Sequence, residues 1–257
     1  MRAGRLIAGI VLVPLALFIV VSTILVFVLR APIPAGGVAG AEADALAHHL
    51  EEVVNRGAWE RTGALMWSAR GGRDHLWDKN RGLIKVQLGD TEALLDLGRQ
   101  HGRAWQEGRE LDGELRTAAL ARAYAAWVND SFWLNPLVKL FDPGVKREVV
   151  AVPSGDPGTR ALLISYTSGG LTPGDQYLWL IPDEGPPVAW RMWTSIFPIQ
   201  GILVTWEGWI RLDTGAEVAT QHHIPGLDFE LSNVRGAGTL AELTGGEDPF
   251  APLFGPK

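Results

Sequence analysis

The sequence predicts an α+β protein: an N-terminal transmembrane helix followed by one strongly curved antiparallel β-sheet of about 11 strands with capping helices. Three observations predict this class. Residues 6–29 contain no charged side chain. Beyond them, short runs alternate apolar and polar residues and are separated by Gly, Asn and Asp. Two stretches, residues 42–56 and 112–128, show the apolar spacing of a helix.

The apolar segment predicts a membrane anchor. A helix over residues 6–29 would reach roughly 36 Å, enough to cross a hydrocarbon core of roughly 30 Å. It exceeds the apolar region of a secretory signal, so the sequence favours a retained anchor over a cleaved one. Arg2 and Arg5 precede it, and Arg30 alone follows directly. Because basic residues stay cytoplasmic, residues 1–30 predict a cytoplasmic tail and single-pass anchor in a bacterial inner membrane, with an exported, periplasmic C-terminal domain.

The composition limits the chemistry of the chain. It contains no cysteine, which excludes disulfides and thiolate metal sites. Its net charge is −6, and every acidic residue lies beyond the anchor, which argues against a nucleic-acid partner. Eleven tryptophans also lie beyond the anchor. They predict either a core filled with large rings or an apolar cavity lined by some of them.

The first half of the exported part is predicted as a linker, a helix and a set of strands. Residues 31–41 are too rich in Pro and Gly for a regular element and form the linker. Residues 42–56 carry Leu46, Leu50, Val53 and Val54 on one helical face. The pattern then changes to a period of two and predicts strands at residues 58–67, 73–78, 83–88, 92–98 and 103–107.

The second half begins with another helix. Asp112 is its predicted N-cap, and it is expected to end near Val128, before Asn129. Later strands are predicted at residues 146–152, 160–167, 176–181, 188–194, 202–212 and 217–222. The domain is expected to span residues 42–234, with residues 235–257 as a flexible C-terminal tail. Since sheet edges must be closed or covered, a curved sheet wrapped around a helix, with an apolar interior, satisfies the pattern.

One part of the sequence resembles a known family. The motifs are Trp127-Val128-Asn129-Asp130-Ser131-Phe132-Trp133-Leu134, then Pro136, Lys139-Leu140 and Asp142-Pro143-Gly144-Val145, with His75-x-Trp77-Asp78 upstream. They resemble a signature in bacterial envelope proteins that are similar to the lipoprotein localisation factor superfamily, the LolA/LolB-like half-barrels. The resemblance implies a half-barrel whose concave face, capped by helices, holds acyl chains of lipids or lipoproteins.

The predicted function is therefore that of a membrane-anchored envelope protein that binds a lipid or other hydrophobic ligand in the concavity. The tryptophans predicted to line it are Trp59, Trp67, Trp77, Trp179, Trp190 and Trp193. Two alternatives stay open. One is a non-enzymatic structural or interaction module of a cell-envelope complex, with an envelope protein as partner. The other is a hydrolase that uses Asp130 or Asp142.

The remaining polar residues favour structure over chemistry. The signature residues are interpreted as structural: Asn129, Asp130, Lys139, Asp142, Trp133 and Gly144. The first four are interpreted as residues that end a helix and pair charges. Adjacent side chains in a strand point to opposite faces, so His222 and His223 do not predict a metal site. Nucleotide and nucleophile motifs are absent from the sequence. The prediction is a protein without catalytic residues, metal or cofactor.

Overall fold

The structure is a computed structural model that describes residues 29–255. Within this range, the helices are α1 (Ala41–Val53), α2 (Arg56–Arg61), α3 (Gly113–Leu134) and α4 (Leu240–Thr244), with 3₁₀ turns at Pro136–Lys139 and Ala251–Phe254. The strands before α3 are β1 (Ala64–Ala69), β2 (Arg73–Asp78), β3 (Leu83–Leu88), β4 (Thr91–Asp96), β5 (His101–Gln106) and β6 (Arg109–Glu110).

The strands after α3 are β7 (Val145–Val150), β8 (Arg160–Tyr166), β9 (Gln176–Ile181), β10 (Ala189–Trp193), β11 (Ile202–Thr205), β12 (Ile210–Arg211), β13 (Glu217–Val218), β14 (Gln221–Ile224), β15 (Leu227–Glu230) and β16 (Ser232–Ala237). The described strands form a seven-stranded sheet in the order β16-β1-β2-β3-β4-β5-β6 and a five-stranded sheet in the order β11-β10-β9-β8-β7. Two hairpins, β12-β13 and β14-β15, lie outside both sheets.

This arrangement contradicts the predicted single curved half-barrel sheet. The α+β class is present, but within residues 29–255 no sheet is closed or curled. One physical reason is that the edges of β1 and β7, at which a continuous sheet could be joined, are occupied by other segments. β16 returns to pair with β1, with Ala237 opposite Ala64. At the other sheet, Val38 pairs with Val149 at the outer edge of β7, through reciprocal backbone hydrogen bonds of 2.9 Å.

The main hydrophobic core is shared by both sheets. Its rings include Trp67 from β1 and Trp179 and Trp190 from the five-stranded sheet. Helix α3 connects it to a second cluster, because Ala119 and Ala123 pack against the seven-stranded sheet while the end of the helix enters the shared core. The helix therefore fixes the position of one sheet relative to the other.

Three element predictions differ from the structure. Trp59 lies in α2 and not in the first strand, which begins five residues later at Ala64. Helix α3 continues past Asn129 to Leu134, because its last turn buries Leu134 completely. The sequence also predicts a loose tail after residue 235, whereas the described part of that segment contains α4 and places Phe250, 0 % exposed, in a core cluster.

The membrane anchor is a further correction. Residues 6–29 lie outside the described range except for Leu29. Within residues 29–255, no helix combines the length and the apolar character needed to cross a bilayer. Helix α3 has 22 residues but carries charged side chains, among them Arg116, Arg122 and Asp130. The predicted single-pass inner-membrane protein with a periplasmic domain thus has no membrane-crossing helix in the part of the chain that the structure describes.

Candidate functional site

The six tryptophans predicted to line one concavity do not surround a common space. Trp179 and Trp190 contact each other in the shared core, with ring centroids 4.9 Å apart. Trp193 belongs to a separate cluster on the opposite face of the same sheet, and its indole nitrogen donates to the Ala31 carbonyl oxygen at 2.8 Å. Trp67 stacks on His75 at 4.7 Å. Trp67, Trp179 and Trp190 pack against protein, and Trp193 borders a separate space of about 500 Å³ beside residues 30–33.

The remaining two predicted tryptophans flank a lysine. The Nζ atom of Lys79 lies 4.5 Å from the ring centre of Trp59 and 5.8 Å from that of Trp77. Trp77 also makes an edge contact with Trp127 of α3, with ring centroids 5.2 Å apart. The two rings therefore hold a cation and a helix in place.

The signature residues of α3 form a buried charge network with β2. Asp130 is 0 % exposed, and its two carboxylate oxygens accept hydrogen bonds from the Arg73 guanidinium at 2.8 and 3.0 Å. The His75 Nε2 atom contacts Asp130 at 2.8 Å, and the Asn129 amide donates at 2.9 Å. Burial opposes ionisation of Asp130, but these hydrogen bonds and the charge of Arg73 outweigh it and lower the pKa of the carboxyl group.

This network supports a structural interpretation of the motif. An ionised Asp130 only accepts hydrogen bonds, so His75 donates through Nε2. His75 is 3 % exposed and is covered by the stacked Trp67 ring, which keeps solvent away from both side chains. Among the signature residues, Lys139 pairs with Asp142 and not with Asp130. His75 and Asp130, 55 residues apart, meet instead.

The other signature residues lie along the segment from α3 to β7. Lys139 and Asp142 form an ion pair at 3.9 Å in which both side chains are more than 40 % exposed. Gly144 has a φ angle of 83°, and an added Cβ atom would lie 1.9 Å from the Ser168 hydroxyl oxygen. Trp133 packs in the shared core against Trp190 and Trp206. The motif therefore forms a turn at Gly144 and contributes Trp133 to the core shared by the two sheets.

An apolar groove lies elsewhere, between α3 and the β4–β5 hairpin. Its volume is about 480 Å³. The helix lines one wall with Leu120, Ala121, Tyr124 and Trp127. The hairpin lines the other wall with Leu95, Asp96, Leu97, Gln100 and His101. The size falls within the range of small-molecule sites, roughly 300–1,000 Å³.

The polar residues of the groove are grouped on the hairpin. Asp96 accepts a hydrogen bond from the Arg99 backbone N–H at 2.9 Å. The Arg99 guanidinium and the His101 ring lie farther from its carboxylate, at 3.7 and 3.9 Å. On the helix wall Tyr124 is 42 % exposed, with its ring centre 6.0 Å from that of Trp127. The groove thus combines an apolar helix wall with a hairpin that carries a carboxylate, an amide and an imidazole.

Sequence reasoning assigned none of the groove residues to a site. One signal was available: Leu120, Tyr124 and Trp127 recur at the helical spacing of one face, next to the alanines that pack on the sheet. The hairpin wall has no comparable signal, because Leu95 and Leu97 approach the helix only through the fold. Within residues 29–255, no group of three or more His, Asp or Glu side chains is placed to hold a metal ion.

Comparison with known proteins adds no family assignment. No family model matches the chain, and no curated protein is significantly similar to it. The resemblance to the LolA/LolB-like superfamily therefore stays an expectation, and only the geometry of the site bears on the function.

Proposed function

We propose that this protein is a non-enzymatic binding protein for a small hydrophobic molecule with a polar end, held in the groove between α3 and the β4–β5 hairpin. The observation that carries the proposal is the groove itself, an apolar space of about 480 Å³ between two regular elements. The groove does not lie where the sequence predicted a concavity. The class of ligand, a hydrophobic molecule, is the same in both proposals.

The walls of the groove are suited to such a ligand. Leu95, Leu97 and Leu120 are only half-buried, so an apolar ligand gains free energy by removing their surface from water. Tyr124 offers an exposed ring face for stacking. Asp96 and His101 at the hairpin provide hydrogen-bonding groups that orient a polar end.

Filling the groove should abolish binding. We expect Ala121→Trp, which places an indole in the groove, to weaken binding of the uncharged fluorophore N-phenyl-1-naphthylamine at least about tenfold, roughly 1.4 kcal/mol. The measurement is the rise in fluorophore emission on titration into the full-length protein. The matched control is Arg116→Trp, an exposed position of the same helix, about 140° around the axis from Ala121.

Two outcomes would contradict the proposal. One is an unmodified protein that gives no saturable emission, and the other is an equal loss of binding in both tryptophan variants. The fluorophore carries no charge, so removal of the arginine in the control does not by itself change an electrostatic attraction.

A second candidate, a structural or interaction module, is favoured by a different observation. The rings shared by the two sheets contact one another, as Trp190 does with Trp179 and Trp206 at 4.9 and 4.8 Å. Such a core needs no internal ligand. Crosslinking in cells that captures a stoichiometric protein would support this candidate, and capture of none would count against it.

A further inference from the structure

Two loops and the N-terminal segment meet at one end of the five-stranded sheet. The β8–β9 loop and the β10–β11 loop leave the sheet side by side, because Gln176 pairs with Trp193. The backbone N–H of Ser195 donates to the Asp175 carboxylate at 3.0 Å and joins the two loops. The Trp193 indole donates to the Ala31 carbonyl oxygen at 2.8 Å, so the N-terminal segment is held at the same end.

Each of these three segments exposes a large aliphatic side chain. Ile33 is 46 % exposed, Leu171 49 % and Ile196 69 %. Thr172, next to Leu171, donates to Asp175 at 2.5 Å, which keeps the first loop beside the second. Single exposed apolar side chains are common, whereas a group of them marks a surface that contacts another molecule. We call Ile33, Leu171 and Ile196 the aliphatic surface.

The segments that carry the aliphatic surface contain few charges. Residues 30–38, 167–175 and 194–201 include two charged side chains, Arg30 and Asp175, although 20 % of the residues in the chain are charged. Asp175 is 4 % exposed and accepts the hydrogen bonds that hold the loops. A molecule that covers this end therefore leaves no exposed carboxylate buried without a partner.

These properties favour a lipid bilayer over a protein as the molecule that covers the surface. Binding energy between proteins comes mainly from Trp, Tyr and Arg, and leucine is under-represented. Leucine and isoleucine without acidic neighbours are the side chains that enter a bilayer most readily. The sequence supports the same choice, because the uncharged run of residues 6–29 ends next to Arg30, which borders the same space as Trp193.

We infer that the aliphatic surface contacts a phospholipid bilayer, with its three side chains at the boundary between headgroups and acyl chains and with Arg30 beside the phosphates. The backbone of a loop cannot enter hydrocarbon without hydrogen-bond partners, so the contact is limited to side chains at this boundary. The contact requires no membrane-crossing helix among residues 29–255, and it is independent of the groove beside α3.

The test uses a single fluorescent label, which is possible because the chain contains no cysteine. Leu171→Cys and Ile196→Cys are made in the full-length protein, and each is labelled with nitrobenzoxadiazole. The matched control is Leu115→Cys, at a side chain that is 68 % exposed at the start of α3, the helix that packs on the seven-stranded sheet. The labelled proteins are incubated with phosphatidylcholine vesicles, with and without a nitroxide on the acyl chains near the headgroups.

The nitroxide should quench the labels on the aliphatic surface alone. We expect emission at positions 171 and 196 to fall at least about twofold, because side chains at the boundary lie within roughly 5–10 Å of the upper acyl chains. Emission at position 115 should not change. Equal quenching at all three positions, or quenching at neither 171 nor 196, would overturn the inference.

A charge on the surface provides a second measurement. In the Ile33→Cys protein, labelled in the same way, Leu171→Asp should abolish quenching at position 33, since a carboxylate opposes insertion. Leu115→Asp should leave that quenching unchanged. Quenching that survives Leu171→Asp would overturn the inference. So would a disulfide-linked dimer of Ile196→Cys that forms readily without vesicles, together with no lipid quenching, because the surface would then bind a second copy of the chain.

Discussion

Replacing Asp130 by asparagine is expected to lower the free energy of unfolding by about 3 kcal/mol, because removal of one partner leaves the other buried charge uncompensated. The carboxylate is fully buried and accepts hydrogen bonds from Arg73, His75 and Asn129. An amide cannot accept at both of its heavy atoms, so the two-pronged contact with Arg73 is lost. Arg73 is 32 % exposed and can partly rehydrate, which keeps the loss at the lower end of the range for buried ion pairs.

The same network predicts an acid sensitivity. Because the folded state lowers the pKa of Asp130, its contribution to stability is fully present above the unfolded value, about 3.9. It is lost as the pH falls through the folded value, because the carboxylate is then protonated in the native state as well. Stability should therefore decline below about pH 4 in the unmodified protein, and the Asp130→Asn variant should show a shallower decline.

The measurement is urea unfolding of both proteins between pH 3 and pH 7, followed by circular dichroism. The control is Asp142→Asn, which breaks an exposed ion pair and should cost no more than about 1 kcal/mol. If the two variants lose the same stability, the buried network does not hold α3 on the seven-stranded sheet.

The local elements could be predicted from the sequence where turns mark their ends. The predicted strands 73–78, 83–88 and 176–181 coincide with β2, β3 and β9. Glycine in the left-handed region, as at Gly72 and Gly82, marks the turns that precede β2 and β3. Such signals are local, and at these strands they mark where the strand begins.

The partition into two sheets could not be predicted in this way. A period of two shows which side chains share a face but not which strands pair. The pairing of β1 with β16 joins segments more than 160 residues apart and contains an irregularity between Met66 and Ser68. Nothing local in either segment specifies that partner. The expected half-barrel followed from the need to cover sheet edges and from the family resemblance, whereas the sheet order depends on these distant pairings.

Neither the contact between Asp130 and His75 nor the groove could be predicted from the sequence, for a related reason. Asn129 is a common residue at helix ends, which suggested that α3 stops there. Its side chain donates to Asp130 instead, and the helix continues because its next turn buries aromatic rings in the shared core. This extension carries Asp130 to His75. The groove likewise exists only because the hairpin β4–β5 lies beside the helix.

The second large effect is expected in the shared aromatic core. Trp190 is 0 % exposed, and five rings lie within 6.0 Å of its own, centre to centre: Phe132, Trp133, Tyr177, Trp179 and Trp206. We expect Trp190→Ala to lower the free energy of unfolding by about 3–5 kcal/mol, since it removes a large buried side chain and leaves a cavity. Urea unfolding measures the loss, and a weaker near-ultraviolet circular dichroism signal should accompany it.

Two variants make this prediction specific. Trp190→Phe keeps a ring in place and removes an indole N–H that is buried without a hydrogen-bond partner among the described residues, so it should cost much less. Trp105→Ala removes a half-buried tryptophan that lies under Arg103, with the guanidinium carbon 5.1 Å from the ring centre. Its loss should also be smaller, because the site is open to water.

The outcome also discriminates between a filled core and an internal ligand cavity. If the core is filled, Trp190→Ala creates a dry space that added indole can enter, and indole should restore part of the lost stability. If the core encloses a natural cavity, neighbouring rings can move into the vacated volume, and the loss should fall below about 3 kcal/mol, towards the transfer free energy of the side chain alone, with no effect of indole. The smaller loss without an effect of indole would indicate a ligand site between the sheets. It would contradict the proposed site in the groove beside α3.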